Sequence, residues 1–449
     1  MTVLRSPRLE ALLGGAIPTA GSIEYRHLEL LKGGQVGEAE DLDYKRELYR
    51  RDDKGRISLS TDVAALASTR GGVLILGIAE DDQGRAVAMT DVELSDAEAT
   101  RMHQVIGSGV HPLPTFEIIP VENPATPGKG CYVIAVGAGQ RQPYAVAVND
   151  GYRYPRRIGM TIGYLTEPEI ETAYRRRDAI RRDQIAVAQE REAAIVRHID
   201  PGKPWVIVSL VPDQPGEITI DSTTFANVRS TYMSSIPMIV GGGEWAWRRV
   251  TLGQRHFALD DRFSTSPMRM LAKLYDDGSG TFTAPPYMQP AGTGDSAWLF
   301  DDELLVNIIM SGLRFLASHA RENAHTTGTA VCRVRITQSD DLALRYWQLT
   351  HGRGQFNMGG KLGDSAHHDD FQPAEASASL QDLTDSPGLV STAAILGSEI
   401  FQGFGVAEAL QITQRGQVRR KYWAENWGVA IEDWARQHDI EITEEELKQ

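Results

Sequence analysis

Apolar and polar positions change their period several times along residues 38–165, and each change marks an element. "DLDYKREL" alternates weakly, as a half-buried strand does. "STDVAALAST" carries small helix formers behind Ser60, a good N-cap residue, and predicts a helix. "GVLILGIA" is a continuous apolar, β-branched run of buried-strand length. "SDAEATRMHQVIGSGV" returns to a helical pattern with Ser95 as its cap. "TFEIIPV" and "CYVIAVGA" predict a strand pair across the turn-rich "ENPATPGKG". In "PYAVAVNDGYRYPRRIGM" two further strands meet at Asn149-Asp150-Gly151, a strong hairpin signal.

A long helical segment follows from Glu167 to His198, opened by "TEPE" and closed by "DPGKP", where proline and glycine end a helix and a domain together. Beyond it "WVIVSLVP", "WRRVTLG" and "TAVCRVRIT" predict strands, and "KLYDDGSGTFTA" predicts a hairpin turning at Asp276–Gly280. "DDELLVNIIMSGLRFLASHAREN" is amphipathic, with apolar residues at 304, 305, 308, 309, 313 and 316. "HGRGQFNMGGKLGDSAHHDDFQPAEAS" predicts a long surface loop, and the end, "VRRKYWAENWGVAIEDWARQHDIEITEEELKQ", is expected to be helical. No internal repeat is visible. The organisation this predicts is a loosely ordered lead-in with a short helix (1–36), a mixed α/β domain (37–166), a helical connector (167–200) and an α+β domain (201–449).

Composition narrows the class. At 41% hydrophobic and 24% charged residues, the 449-residue chain can bury cores and is not disordered. It has no run of about 18 apolar residues, so no membrane span is expected. Its two cysteines, Cys131 and Cys332, give no disulfide framework and fit a cytoplasmic protein. Cys131 lies in a strand pattern and is expected to be a small buried apolar residue. A net charge of −14 argues against coating nucleic acid by bulk attraction. One local exception stands out. Between Gly151 and Arg197 ten arginines face seven acids, in "YRYPRR" and "AYRRRDAIRR". Such a stretch is either a solvated helix or a phosphate-tracking face.

The glycine pair Gly71-Gly72 raises the question of a phosphate loop. A P-loop lies between a strand and the following helix and carries a lysine before a hydroxyl residue. Here a helix precedes the glycines, a strand follows, and the lysine is missing, so the pair reads as a helix cap and tight turn. Glu80, Asp81 and Asp82 sit where the strand leaves the core, and "DDQG" is good turn chemistry. Upstream, Glu38 lies just before another strand and Asp43 within it, where Asp43 and Lys45 share one face. Carboxylates from two neighbouring strands, with a lysine, can hold Mg²⁺ or Mn²⁺ against a phosphodiester.

In this order "GEAEDLDYKREL", "ALASTRGGVLILGIAEDDQG", "PLPTF", "YVIAVGAGQRQPYAV" and "YRYPRRIGMT" resemble the Schlafen AlbA-type domain, over residues 37–166. The family was long filed as a divergent AAA or ATP-binding module, so nucleotide binding follows from that label, although no phosphate loop is present. The resemblance implies a mixed α/β nucleic-acid-binding fold. In members that cut RNA, a Glu, a second acid after four intervening residues, and an Asp after the glycine-pair strand form the cleavage site. Carried over, these are Glu38, Asp43 and one of Glu80 or Asp81, with Asp81 at the expected spacing. Asp43 departs from the family pattern, where the second acid is usually Glu. Arg153, Arg156 and Arg157, with Arg175 to Arg177, would contact phosphates. The resemblance thus implies a bacterial protein that either cleaves RNA with a divalent metal, in stress or phage defence, or binds DNA or RNA without cutting. Self-association into a homo-oligomer is a further expectation.

Other features tempt less. His367, His368, Asp369 and Asp370 are metal-ligand types, but neighbours on an extended loop point apart and no zinc-finger spacing accompanies them. No Gly-x-Ser-x-Gly elbow anchors a hydrolase triad. Trp423, Trp427 and Trp434, with Tyr422, are expected in the core.

Overall fold

The run Gly72–Leu76 forms a strand with every residue buried, because both of its faces are covered. Val73 and Ile75 enter one core, with Leu28, Leu31, Leu42 and Tyr44. Leu74 and Leu76 enter another, with Leu59, Val63, Met102 and Ile134. A strand sandwiched in this way has no reason to alternate. The computed structural model describes residues 8, 11, 13, 14 and 22–445, apart from 138, 140, 150, 263–269, 287–296, 327, 338–345 and 352–359. The short helix expected near the start of the chain lies largely outside these residues, as do Asp150 of the hairpin turn and part of the loop expected after 350.

The chain divides into two compact units, Met1–Arg181 and Arg182–Gln449. In the first, helix α1 (Tyr25–Gly33) buries Tyr25, Leu28 and Leu31, so this part of the expected loose lead-in is packed. The strands are β1 (Leu42–Lys45), β2 (Gly72–Leu76), β3 (Ile78–Glu80), β4 (Ala86–Met89), β5 (Val92–Glu93), β6 (Val110–His111), β7 (Phe116–Glu122), β8 (Lys129–Val136), β9 (Ala145–Val148), β10 (Gly151–Arg153), β11 (Pro155–Ile158) and β12 (Thr161–Tyr164). The main sheet runs β1-β2-β8-β5, with β7 also on β8. Strands β1 and β2 are parallel, and β8 runs antiparallel to both β2 and β7. Helices α2 (Asp53–Ala67) and α3 (Asp96–Gly109) contribute to the core on one side.

Ser95 caps α3, its hydroxyl accepting from the Glu98 amide at 3.2 Å. Helix α2 starts earlier than Ser60. Asp52 caps it, accepting from the Gly55 amide at 2.8 Å, and Ser60 is buried within the helix. The glycine pair links α2 to β2, helix before strand, which is the reverse of a phosphate loop. Gly72 has φ +143°, and a Cβ there would lie 2.3 Å from the Asp41 carbonyl oxygen. The expected hairpin is present, with β9 antiparallel to β10 and Asn149 left-handed at φ 54°. It is followed by a second hairpin, β11 with β12.

Helix α3 is followed in the helix series by α4 (Glu167–Val196), which runs across the division between the units. Its C-terminal part buries Gln184, Ala188, Glu192 and Ile195, a stripe at helical spacing. In the second unit, α5 (Ser222–Met233), α6 (Asp302–Ser318), α7 (Pro387–Gln402) and α8 (Glu425–Gln437) accompany strands β13 (Val206–Pro212), β14 (Arg249–Gly253), β15 (His256–Asp260), β16 (Leu271–Tyr275), β17 (Gly280–Ala284), β18 (Ala297–Asp301), β19 (Thr329–Ile336), β20 (Tyr346–His351), β21 (Gly360–Ala366) and β22 (Ala374–Ser379). A seven-stranded sheet runs β14-β15-β16-β17-β13-β19-β22, and β18-β20-β21 form a smaller one. The fold is α+β. Strand β21 lies within the segment expected to be a surface loop, antiparallel to β20. The tryptophans Trp423, Trp427 and Trp434 are buried, as are both cysteines. Among the described residues no helix is long and apolar enough to cross a membrane.

Backbone strain and close approach at Gly72 make it irreplaceable. Gly72→Ala is expected to cost about 2–3 kcal/mol in urea unfolding. Gly107→Ala is the control: it lies in α3 with open space around it, and should be neutral or stabilise by up to about 1 kcal/mol. Equal effects at the two positions would contradict this account of the glycine pair.

Candidate nucleic-acid interface

Parallel pairing sets Asp43 beside Leu74 and Lys45 beside Leu76, so β1 carries its charges along a buried strand. Asp43 is almost fully buried. One carboxylate oxygen accepts from Arg157 Nη1 at 2.7 Å, and the other from Lys45 Nζ. Arg157 is itself buried. It donates through Nη2 to the Ala39 carbonyl at 3.1 Å, and its backbone amide donates to Thr69 Oγ1 at 3.0 Å. Arg157 therefore fastens β11 to β1 and to the end of α2. Burial opposes charge on Lys45, but the Asp43 and Asp62 carboxylates outweigh it and raise its pKa. Asp62, on α2, is raised above the usual carboxylate range by burial, against the pull of Lys45, and accepts from the Tyr49 hydroxyl.

The expected metal triad does not assemble. Asp43 has both oxygens engaged by cations, and Asp81 belongs to its own turn. One Asp81 oxygen accepts from the Gln83 and Arg85 amides, each at 2.9 Å, and the other from Arg85 Nε at 2.9 Å. The Arg85 amide and guanidinium hold the Asp81 carboxyl below its ordinary range. The acid that meets Glu38 is Glu80. Glu38 Oε1 accepts from the Tyr44 amide at 2.8 Å. Its pKa rises from 4.5 to about 8, first through burial, then, against the Tyr44 amide, through the Asp43 charge and a hydrogen bond with Glu80. Glu38 thus keeps its proton at neutral pH, beside the Glu80 carboxyl. Among the described residues, no group of three metal-ligand types converges here.

The arginines separate by strand parity. On β11, Pro155 and Arg157 face inward, while Arg156 and Ile158 face outward. Arg157 is therefore a buried counter-ion and not part of a phosphate-contacting surface. Arg156 lies beside α4, bonded to Glu169 at 2.8 Å. Glu169 Oε2 in turn accepts from the Thr166 amide and hydroxyl, each at 2.8 Å, at the start of the helix. A cleft of about 380 Å³ here is lined by Ser68, Gln142, Arg156, Glu169, Thr172 and Arg176, among others. Arg176 has no ion-pair partner among the described residues, and Arg175 pairs with Glu171 at 2.6 Å. Arg153 sits over the Tyr164 ring at 5.5 Å, and Arg177 over Tyr174 at 6.0 Å.

Around these arginines three tyrosines are exposed, Tyr152 at 62%, Tyr164 at 46% and Tyr174 at 44%. The Tyr174 hydroxyl lies 3.4 Å from that of Tyr154. Cations interleaved with aromatic faces can bind phosphates and stack bases together. The tyrosines escape a sequence reading because "YRY" alternates only briefly and Tyr174 sits in a helix. In the HHDD cluster, Asp370 accepts from the His367 amide at 2.7 Å, and among the described residues no group of three metal-ligand types converges there.

Residues 38–163 match the family model described as Schlafen, AlbA_2, and are similar to domains of that type. No curated protein matches. Among solved structures, the DIP2311 protein from Corynebacterium diphtheriae is similar at 19% identity, over 37% of this chain and 27% of that one, with a TM-score of 0.23. This chain thus spans about a quarter of that protein's length.

Two outcomes follow. Asp43→Ala strands Arg157 as a buried, unpaired cation and is expected to destabilise by about 3–5 kcal/mol in urea unfolding. A stabilising effect would mean that Asp43 is a strained, metal-seeking carboxylate. Glu38 ionises near 4.5 when unfolded but keeps its proton to about 8 when folded. Between those values the unfolded state binds fewer protons, so Glu38 makes stability fall as pH rises from 4.5 to about 8. Glu38→Gln should flatten that fall in a pH series of unfolding midpoints, and an unchanged slope would refute the assignment.

Proposed function

We propose that the Schlafen AlbA_2 domain binds single-stranded or unpaired nucleic acid on the face formed by β10, β11, β12 and the first turns of α4. The observation that carries this reading is the interleaving of Arg153, Arg156 and Arg176 with exposed Tyr152, Tyr164 and Tyr174. The arginines neutralise phosphates and the tyrosines offer stacking platforms, a combination that tolerates sequence and favours unpaired bases. Arg157 acts beneath this face, fixing the hairpin that presents it. The acidic balance of the whole chain suits this arrangement, because attraction is then confined to one patch.

A second reading, metal-assisted cleavage with Mg²⁺ or Mn²⁺, draws on the Glu38–Glu80 pair. Two adjoining carboxyl groups are a place where a divalent ion can bind in exchange for protons. In this reading Lys45 would steady the scissile phosphate, but Lys45 and Asp43 are committed to each other. Binding without cutting is the reading better supported.

Fluorescence anisotropy with labelled single-stranded RNA, tRNA and duplex DNA tests both. The full chain is expected to bind the single strand most tightly. The Arg153→Ala/Arg156→Ala/Arg176→Ala variant should bind at least about tenfold more weakly, with a salt slope shallower by about 2. Unchanged affinity and slope would refute the interface. Incubation of the same substrates with Mn²⁺ should leave them intact; cleavage that disappears in Glu38→Gln/Glu80→Gln would establish the second reading instead.

A further inference from the structure

In the second unit, strand register places together acids and a histidine that are far apart in sequence. Strands β18 and β20 are parallel, with Phe300 opposite Leu349 and Asp301 opposite Thr350. The next positions along, Asp302 and His351, therefore meet where β18 passes into α6. His351 Nδ1 lies 2.7 Å from Asp302 Oδ2. Asp302, Glu303 and His351 each offer a ligand atom, and these atoms lie within 4.8 Å of one another.

Two carboxylates here are buried completely, Asp302 and Glu303 both at 0% exposure. Among the described residues neither has a lysine or arginine partner. Charges buried without a counter-ion are costly, and the helix N-terminus offsets only part of that cost. Polar groups here are also left over. Glu303 Oε2 accepts from the Ala424 amide at 2.9 Å, but Glu303 Oε1 has no partner. Gln411, also at 0% exposure, donates to Asp302 Oδ2 at 2.6 Å, and its own Oε1 is likewise unpartnered.

We propose that Asp302, Glu303 and His351 bind a first-row divalent transition ion, with zinc the fitting probe. Two carboxylates balance the charge of such an ion. One imidazole nitrogen with carboxylate oxygens suits zinc, whereas magnesium and calcium prefer oxygen alone. Tetrahedral ligands at about 2.0–2.1 Å from the ion stand about 3.3 Å from each other. The imidazole must therefore draw back from Asp302 by about 0.6 Å, which its half-exposed position allows. Gln411 orients Asp302 from behind, the usual role of a hydrogen bond to a ligating carboxylate. Three protein ligands leave a fourth position for water or a substrate oxygen.

The test is calorimetric titration of the chelator-stripped full chain with zinc chloride. Wild type and Glu38→Gln/Glu80→Gln should each bind one equivalent, unaffected by millimolar Mg²⁺, with a zinc-dependent rise in melting temperature. His351→Ala and Glu303→Gln should bind at least about 100-fold more weakly and lose the melting shift, while melting like wild type without metal. No saturable zinc binding by wild type would overturn the proposal, as would an equivalent retained in both His351→Ala and Glu303→Gln. An equivalent lost only in Glu38→Gln/Glu80→Gln would place the ion in the first unit and overturn it equally.

Discussion

The buried ion pair between Asp43 and Arg157 is the constraint on which the first unit's functional face depends. Its two members lie 114 residues apart in sequence, one on the edge strand β1 of the main sheet and one on a hairpin outside that sheet. Because the pair is buried, neither member can leave without stranding the other, which makes the contact far stiffer than a surface bridge. Arg157 also binds the Ala39 carbonyl and Thr69, so the hairpin is held against three parts of the unit at once. Alternation along β11 then forces Arg156 outward, next to α4 and Arg176. The exposed chemistry is a consequence of the buried chemistry, through the two-residue period of one strand.

The same pair bears on whether the domain cuts nucleic acid. An aspartate whose two oxygens accept from a lysine and an arginine is already matched by two cations. The shorter side chain at position 43, where related domains usually carry glutamate, is thus used for internal bonding. Burial holds Glu38 in its protonated form at neutral pH, and Asp81 stabilises its turn. Binding through arginine and tyrosine needs none of these acids.

Much of the fold was legible in the sequence. The strand Gly72–Leu76, the α3 helix with its Ser95 cap, the Asn149 turn and the burial of the three tryptophans follow from local pattern and capping chemistry. The start of α2 was less legible, because both Asp52 and Ser60 are good caps and only packing decides between them. Strand β21 is glycine-rich and polar, and becomes a strand only by pairing with β20. The site was legible in residue type but not in role. "PRRI" shows two arginines, and nothing local says which one will meet Asp43. Asp302 and His351 are brought together only by the register of β18 with β20, which no spacing rule reveals.

Mapping where an oligonucleotide touches the chain tests the central claim most directly. A single-stranded oligonucleotide carrying photoreactive bases, cross-linked to the full chain and mapped by mass spectrometry, should mark Tyr152, Tyr164 or Tyr174. Cross-links confined to residues beyond 181, with those tyrosines unmarked while the oligonucleotide is bound, would contradict the account.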